Sequence, residues 1–246
     1  HGKGFIQKQA SERYPGWIRR EIVPSRSHPG DYVEHVVCDD AATLVFLANQ
    51  RCVVLHVGPT RVDRLDYPDQ LIFDFDPPDA SPASFDAVRD GARRVGELVR
   101  SCGLTPFVKT SGSKGLHVIA PLDRQAHVDE ARAFARAICD RIAAQEPARF
   151  TTSIAKSDRV GKVFLDYLRN GHAQTLVAPY SPRAIDGAPV STPITWEELE
   201  DPALSARTFT VKNVRQRLAT RGDPWRGMGR FAGSLDAASA ALDDLR

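Results

Sequence analysis

The run Gln70-Leu-Ile-Phe-Asp-Phe-Asp-Pro-Pro78 constrains this chain more than any other segment, because an apolar strand ends there in two carboxylates. Residues two apart on a strand share a face, so Asp74 and Asp76 point the same way. Like charges a few ångströms apart resist joint ionisation unless a cation or a proton lies between them. A divalent metal meets that need, and oxygen-only ligation with no nearby Cys or His favours Mg²⁺ or Mn²⁺ over Zn²⁺. Those ions usually accompany phosphates. The local alternative is a pair of turn-forming aspartates leading into Pro77-Pro78.

At 246 residues, 42% hydrophobic and 26% charged, the chain has the composition of a globular protein of one large or two intimate domains. No apolar run approaches the roughly 20 residues of a membrane span. The start, His1-Gly-Lys-Gly-Phe-Ile, lacks a basic segment followed by an apolar one, so a cytoplasmic location is expected. Cys38, Cys52, Cys102 and Cys139 are widely spaced and form no C-x-x-C pair, which predicts buried thiols in a reducing compartment. A net charge of +2 permits a nucleic-acid partner without requiring one.

Strand-like runs occur at Tyr32–Val37, Val53–Val57, Leu71–Asp74, Pro106–Lys109, Leu116–Ala120, Lys162–Tyr167 and Thr175–Ala178. Two long amphipathic helices are predicted, from about Ser84 (a candidate N-cap) to Cys102 and from His127 to Gln145, with solvated Arg-rich outer faces. Shorter helices are expected at Ala41–Asn49, Trp196–Glu200 and Val211–Thr220, and the tail after Trp225 reads as weakly structured or peripheral. Strands and helices without regular alternation imply an α+β fold.

Two further stretches can carry chemistry. In Lys109-Thr-Ser-Gly-Ser-Lys-Gly-Leu-His-Val118, the glycines let backbone N–H groups approach an anion, and Ser111, Ser113 and Lys114 offer donors to phosphate oxygens. Its spacing is not that of a Walker A loop and no helix follows; a plain Ser/Gly turn between strands is the alternative. In Ser157-Asp-Arg-Val-Gly-Lys-Val-Phe-Leu-Asp-Tyr167, a basic loop runs into a strand ending at Asp166, a third carboxylate able to complete a two-metal site. His56, polar within Val53-Val-Leu-His-Val57, is either a solvent-facing strand residue or a phosphate or hydroxyl contact.

These motifs, with Asn170-Gly171, Ala178-Pro-Tyr-Ser-Pro-Arg183, Ile194-Thr-Trp-Glu-Glu-Leu199 and Asp223-Pro-Trp225, occur in the order and spacing of the polymerase domain of bacterial DNA ligase D. The chain resembles that family, a branch of the archaeo-eukaryotic primase superfamily, over nearly its whole length. The resemblance implies that residues 1–246 form a single primase-polymerase catalytic domain: an α+β module of two packed β-sheets flanked by helices, with the active site in the cleft between them. It implies a nucleotidyltransferase that extends a primer 3′-OH during double-strand break repair by non-homologous end joining. Asp74, Asp76 and Asp166 then look like catalytic ligands of Mg²⁺ or Mn²⁺, and Ser111, Lys114 and His117 like contacts to nucleotide phosphates, with His56, Arg159 and Arg183 in the same pocket. Phe5 and Lys8 would lie against DNA, and nucleoside triphosphates, broken or gapped DNA, Ku and a DNA ligase would be partners near a bacterial or archaeal nucleoid.

The chain departs from the family at two points. Phe5-Ile6 stands where the family often has paired aromatics, and the family's N-terminal segment, with its basic 5′-phosphate pocket, has no counterpart in these residues. Other functions compete for the same residues. A haloacid-dehalogenase-like phosphotransferase normally needs Thr or Val where Pro77-Pro78 stands, and a non-catalytic DNA-end-binding module needs no carboxylate triad. A primase or an excision-repair gap filler would use the same site.

Overall fold

The computed structural model describes residues 6–24 and 30–245. The first antiparallel pair, β1 (Arg20–Pro24) and β2 (Tyr32–Val36), precedes α1 (Ala41–Asn49) and three short strands, β3 (His56–Val57), β4 (Thr60–Arg61) and β5 (Arg64–Pro68). β6 (Gln70–Asp76) leads into α2 (Pro82–Ser101), followed by β7 (Phe107–Thr110), β8 (Leu116–Pro121), α3 (Val128–Gln145) and β9 (Phe150–Thr151). β10 (Val163–Asp166), β11 (Leu176–Val177) and β12 (Pro193–Ile194) come next, then α4 (Trp196–Leu199), α5 (Val214–Arg221) and α6 (Leu235–Asp244). Among the described residues no helix is long and apolar enough to cross a membrane.

Six strands form one sheet in the order β12-β7-β8-β6-β10-β9. All neighbours are antiparallel except β9 and β10. Strand alternation divides this sheet into two unlike faces. Leu71, Phe73 and Phe75 of β6 join Leu116 and Val118 of β8 and Val163 and Leu165 of β10 in a core closed by α2, α3 and α6. Ile72 and Ile119 point the other way, where they meet Leu176 of the two-stranded β3–β11 sheet and Trp225. The fold is α+β, and its two sheet layers are unequal, six strands against two.

Helix α2 shows how local sequence builds the apolar face. Phe85, Val88, Ala92, Val95 and Val99 recur at helical spacing and are buried. Its N-cap is Ser81 rather than Ser84: Pro82 suits the first helical position because it needs no N–H partner there, and the Ser81 side chain accepts from Ser84 N at 3.2 Å. The outward arginines are largely paired, Arg94 with Asp90 and Glu146 and Arg93 with Glu200. α3 begins at His127, whose N–H donates to the Glu130 carboxylate at 2.6 Å while its Nδ1 accepts from Asp129 N at 3.3 Å.

Two sequence expectations need correction here. The segment after Trp225 is not peripheral: Ser234 caps α6, and Leu235 and Ala238 are buried against the main core, a short amphipathic repeat too small to stand out in the sequence. Of the four cysteines only Cys102 and Cys139 are buried; Cys38 is exposed and Cys52 partly so, because neither lies within the sheet or the long helices. The thiols are unpaired, as expected.

β10 pairs with β6 only from Asp74 to Asp76. Beyond that point Asn170 takes the place of a strand, its Oδ1 accepting from Ile72 N at 2.8 Å and its Nδ2 donating to Ile72 O at 2.7 Å and Tyr167 O at 2.9 Å. Asn170→Ala strands the buried Ile72 amide and carbonyl, and is expected to lower stability by roughly 1–3 kcal/mol. Urea unfolding checks this, and an unchanged midpoint contradicts it.

Candidate active site

The register of the sheet aligns functional side chains from distant parts of the chain. Lys109 lies opposite His117, His117 opposite Asp74, and Asp74 opposite Asp166, giving one row across four strands. Asp76 follows two residues along β6 on the same face. One carboxylate oxygen from each of Asp74, Asp76 and Asp166 lies within 4.8 Å of the others. The turn reading of the aspartates is therefore insufficient: β6 runs through Asp76, and Asp74 and Asp166 are both buried.

Such crowding needs a compensating cation, and the protein supplies one in Arg169. Its Nε lies 3.2 Å from Asp74 Oδ2 and 3.3 Å from Asp166 Oδ2. Burial opposes ionisation of Asp74, but His117 and Arg169 outweigh it and hold the carboxyl at about 2. Asp76 goes the other way, raised to about 6 by burial and by the charge on Asp74, with Lys114 acting against the shift. Burial and Asp74 also raise Asp166, despite Arg169. His117 is pushed down to about 4 by burial and by Lys109, so its imidazole is neutral near pH 7. Its Nε2 stands 3.3 Å from Asp74 Oδ1 as a hydrogen-bond donor rather than as half of an ion pair, and its buried Nδ1 has no hydrogen-bond partner among the described residues.

The loop between β7 and β8 folds around Ser111, whose hydroxyl oxygen accepts from Ser113 N at 3.2 Å and Gly115 N at 3.0 Å. Those bonds leave the hydroxyl hydrogen available as a donor. Gly112 has φ +68°, and a Cβ there would stand 2.9 Å from Ser191 N. A Cβ at Gly115 would overlap the Phe75 carbonyl oxygen, between the two β6 carboxylates. The glycines thus let the loop close over the end of β6, and Lys114 donates to Pro77 O at 3.1 Å.

The remaining sequence candidates are less uniform. Arg183 borders Gly112, and its charge, with those of Arg169, Lys109 and Lys8, adds to partial desolvation in lowering the pKa of His56. His56 itself is solvent-exposed on β3. Arg159 covers the ring of Phe164, next to Asp166, with its guanidinium carbon 3.4 Å from the centroid, while donating to the carbonyls of Ser153 and Ile154. Lys8 is exposed, and Phe5 lies outside the described residues. Three side chains take part to which the sequence assigns no role. Arg169 bridges two acids, Asn170 clamps β6, and fully buried Lys109 donates to Val177 O at 3.0 Å and Ser191 Oγ at 2.6 Å. Burial takes the Lys109 amine down to about 7. Arg169, three residues after Asp166, was the one open to detection, since a short turn brings it back over that acid.

The profile of the family described as LigD, primase-polymerase domain, matches residues 1–225. This chain belongs to that family. The LigD relatives include the multifunctional non-homologous end joining protein LigD of Pseudomonas aeruginosa, 34% identical over 98% of this chain and 28% of that protein. The bifunctional LigD of Bacillus subtilis is 32% identical over 87% of this chain and 36% of its own length. The chain therefore spans about a third of these LigD proteins. Among solved structures, the polymerase domain of Mycobacterium tuberculosis ligase D in complex with DNA superposes with a TM-score of 0.82 and 32% identity, covering 93% of this chain and 80% of that one.

The opposed shifts within the triad make a pH signature. With Asp76 near 6 in the folded protein and 3.8 as its ordinary value, the folded state retains a proton that the unfolded chain releases, so stability falls as pH rises from about 4 through 6. Asp74 contributes in the opposite sense, its stabilisation being present above the ordinary range and lost as pH falls towards 2. Asp76→Asn removes the first effect: relative to the parent, its stability should rise between pH 4 and 7 by on the order of 1–3 kcal/mol. Urea unfolding in the absence of metal at a series of pH values checks this, and a pH-independent difference contradicts it.

Proposed function

We propose that this chain is a template-directed nucleotidyltransferase that adds nucleotides to a primer 3′-OH in the repair of DNA double-strand breaks by end joining. The observation that carries the reading is the all-oxygen cluster of buried Asp74 and Asp166 and half-buried Asp76, beside a glycine-containing loop whose Ser111 hydroxyl can donate. The donor set fits Mg²⁺ or Mn²⁺, because three hard carboxylates converge with only a protein cation between two of them. Such ions, when bound, supply the charge that activates the attacking hydroxyl and neutralises the leaving pyrophosphate.

In this reading the protein's own groups orient the reactants. Asp74 and Asp166, opposite each other on β6 and β10, and Asp76 beside them fix where metal and α-phosphate can stand. Arg169, which bridges Asp74 and Asp166, would be free to face phosphate oxygens if a divalent ion were held by those carboxylates. The Ser111 hydroxyl, Lys114 and Arg183 hold the triphosphate, with His56 and Arg159 at its edge. Neutral His117 holds Asp74 through Nε2–H, and the same donor would serve a nucleotide phosphate if a metal ion compensated that carboxylate. Phe5 and Lys8 contact the template strand. The M. tuberculosis relative, solved with DNA, supports DNA as the partner, and the LigD names support a setting in non-homologous end joining; Ku and a DNA ligase are the partners this reading adds.

Primer extension on a gapped duplex with Mg²⁺ or Mn²⁺, and with each nucleotide type, is the test. The parent should extend; Asp74→Ala and Asp166→Ala should each lose at least about a hundredfold in rate while still binding DNA. Lys114→Ala and Arg183→Ala should raise the nucleotide KM roughly tenfold, as expected for losing a charged hydrogen bond. Full extension by either aspartate variant sinks the assignment, and synthesis without a primer marks a priming enzyme instead.

A further inference from the structure

A second group of ligating side chains lies away from the catalytic row. Asp66 of β5, His127 at the start of α3 and His172 in the loop after β10 each bring one donor atom to within 4.8 Å of the others. His172 Nδ1 stands 3.7 Å from Asp66 Oδ1. The two imidazoles meet edge to face with centroids 5.8 Å apart and planes at 65°, and Tyr67 packs edge-on against His127 at 6.0 Å.

We propose that Asp66, His127 and His172 form a binding site for a zinc-type divalent ion, distinct from the carboxylate triad. Two imidazoles with one carboxylate are a zinc donor set, whereas the triad's oxygens suit harder cations. With metal–ligand bonds of about 2.0–2.2 Å, donors on one tetrahedral ion stand roughly 3.3 Å apart. The three groups must therefore close up by at most about 1.5 Å, and their side chains are free to rotate, with 60% exposure for Asp66 and 41% for each histidine.

The surroundings also fit. The Asp129 carboxylate lies 3.5 Å from His127 Nδ1, where it can accept an Nδ1–H and leave Nε2 to ligate, the usual arrangement behind a metal-bound histidine. His127 then exchanges its capping bond from Asp129 N for a bond to that carboxylate. A cavity of about 220 Å³ opens beside the group, where His172 and Asp129 line its wall. An exposed His–Asp pair alone contributes little and gives no reason for a second imidazole at the same spot. The ion would tie β5 and the start of α3 to the segment that carries Asp166, Arg169 and Asn170.

The test is zinc titration of the chelator-stripped chain, followed by calorimetry and by thermal unfolding with and without Zn²⁺. His172→Gln and His127→Asn are compared with the parent and with Asp76→Asn; Asn at position 127 retains a helix N-cap while removing the imidazole. The expected result is one zinc site whose affinity falls at least tenfold in both histidine variants and persists in Asp76→Asn, with the zinc-induced rise in Tm lost in the same two variants. Unchanged zinc affinity and Tm response in both histidine variants, whether the triad or Cys38 takes the ion, overturns the proposal, as does loss of the site only in Asp76→Asn.

Discussion

Arg169 lies between Asp74 and Asp166, and this contact resolves the main electrostatic problem of the fold. Three carboxylates on adjacent strands, two of them buried, repel each other and have lost most of their hydration. Without compensation the cheapest escape is protonation, and Asp76 and Asp166 are already shifted that way while Asp74 keeps its charge. The site is thus held partway between a neutral and a fully charged state by one guanidinium and one neutral imidazole. In the proposed reading, a metal ion would take over that compensating role.

That arrangement is possible because the two faces of the central sheet do different work. Leu71, Phe73 and Phe75 anchor β6 in the helix-covered core, so the alternate positions can carry Asp74 and Asp76 without loosening the strand. His117 and Lys109 follow the same alternation on β8 and β7. Asn170 secures β6 where β10 stops, only two positions from Asp74. Stability and chemistry are thus placed on opposite sides of the same backbone.

Much of this was legible in the sequence. The Asp74/Asp76 pair, the glycine-containing loop and Asp166 each lie at a strand end with distinctive neighbours, and their order pointed to the family that residues 1–225 match. Register was not legible, because nothing local says that Lys109, His117, Asp74 and Asp166 will align; it emerges from pairing between strands up to 92 positions apart, Asp74 and Asp166 being the farthest. Arg169 reads as an ordinary loop residue, and Asn170 as part of the Asn170-Gly171 motif without a role, until the turn after β10 folds back. Helix α6 was missed because its apolar stripe is short and alanine-rich, and Cys38 was misjudged because apolar sequence neighbours do not guarantee burial.

The most direct test of the account is a crystal structure with Mn²⁺ and a non-hydrolysable nucleoside triphosphate, read by anomalous scattering at the manganese edge. The account predicts manganese peaks ligated by Asp74, Asp76 and Asp166, with the Arg169 side chain withdrawn from both of its aspartates. Manganese absent from the triad, with Arg169 still bridging Asp74 and Asp166 while the nucleotide is bound, would contradict it.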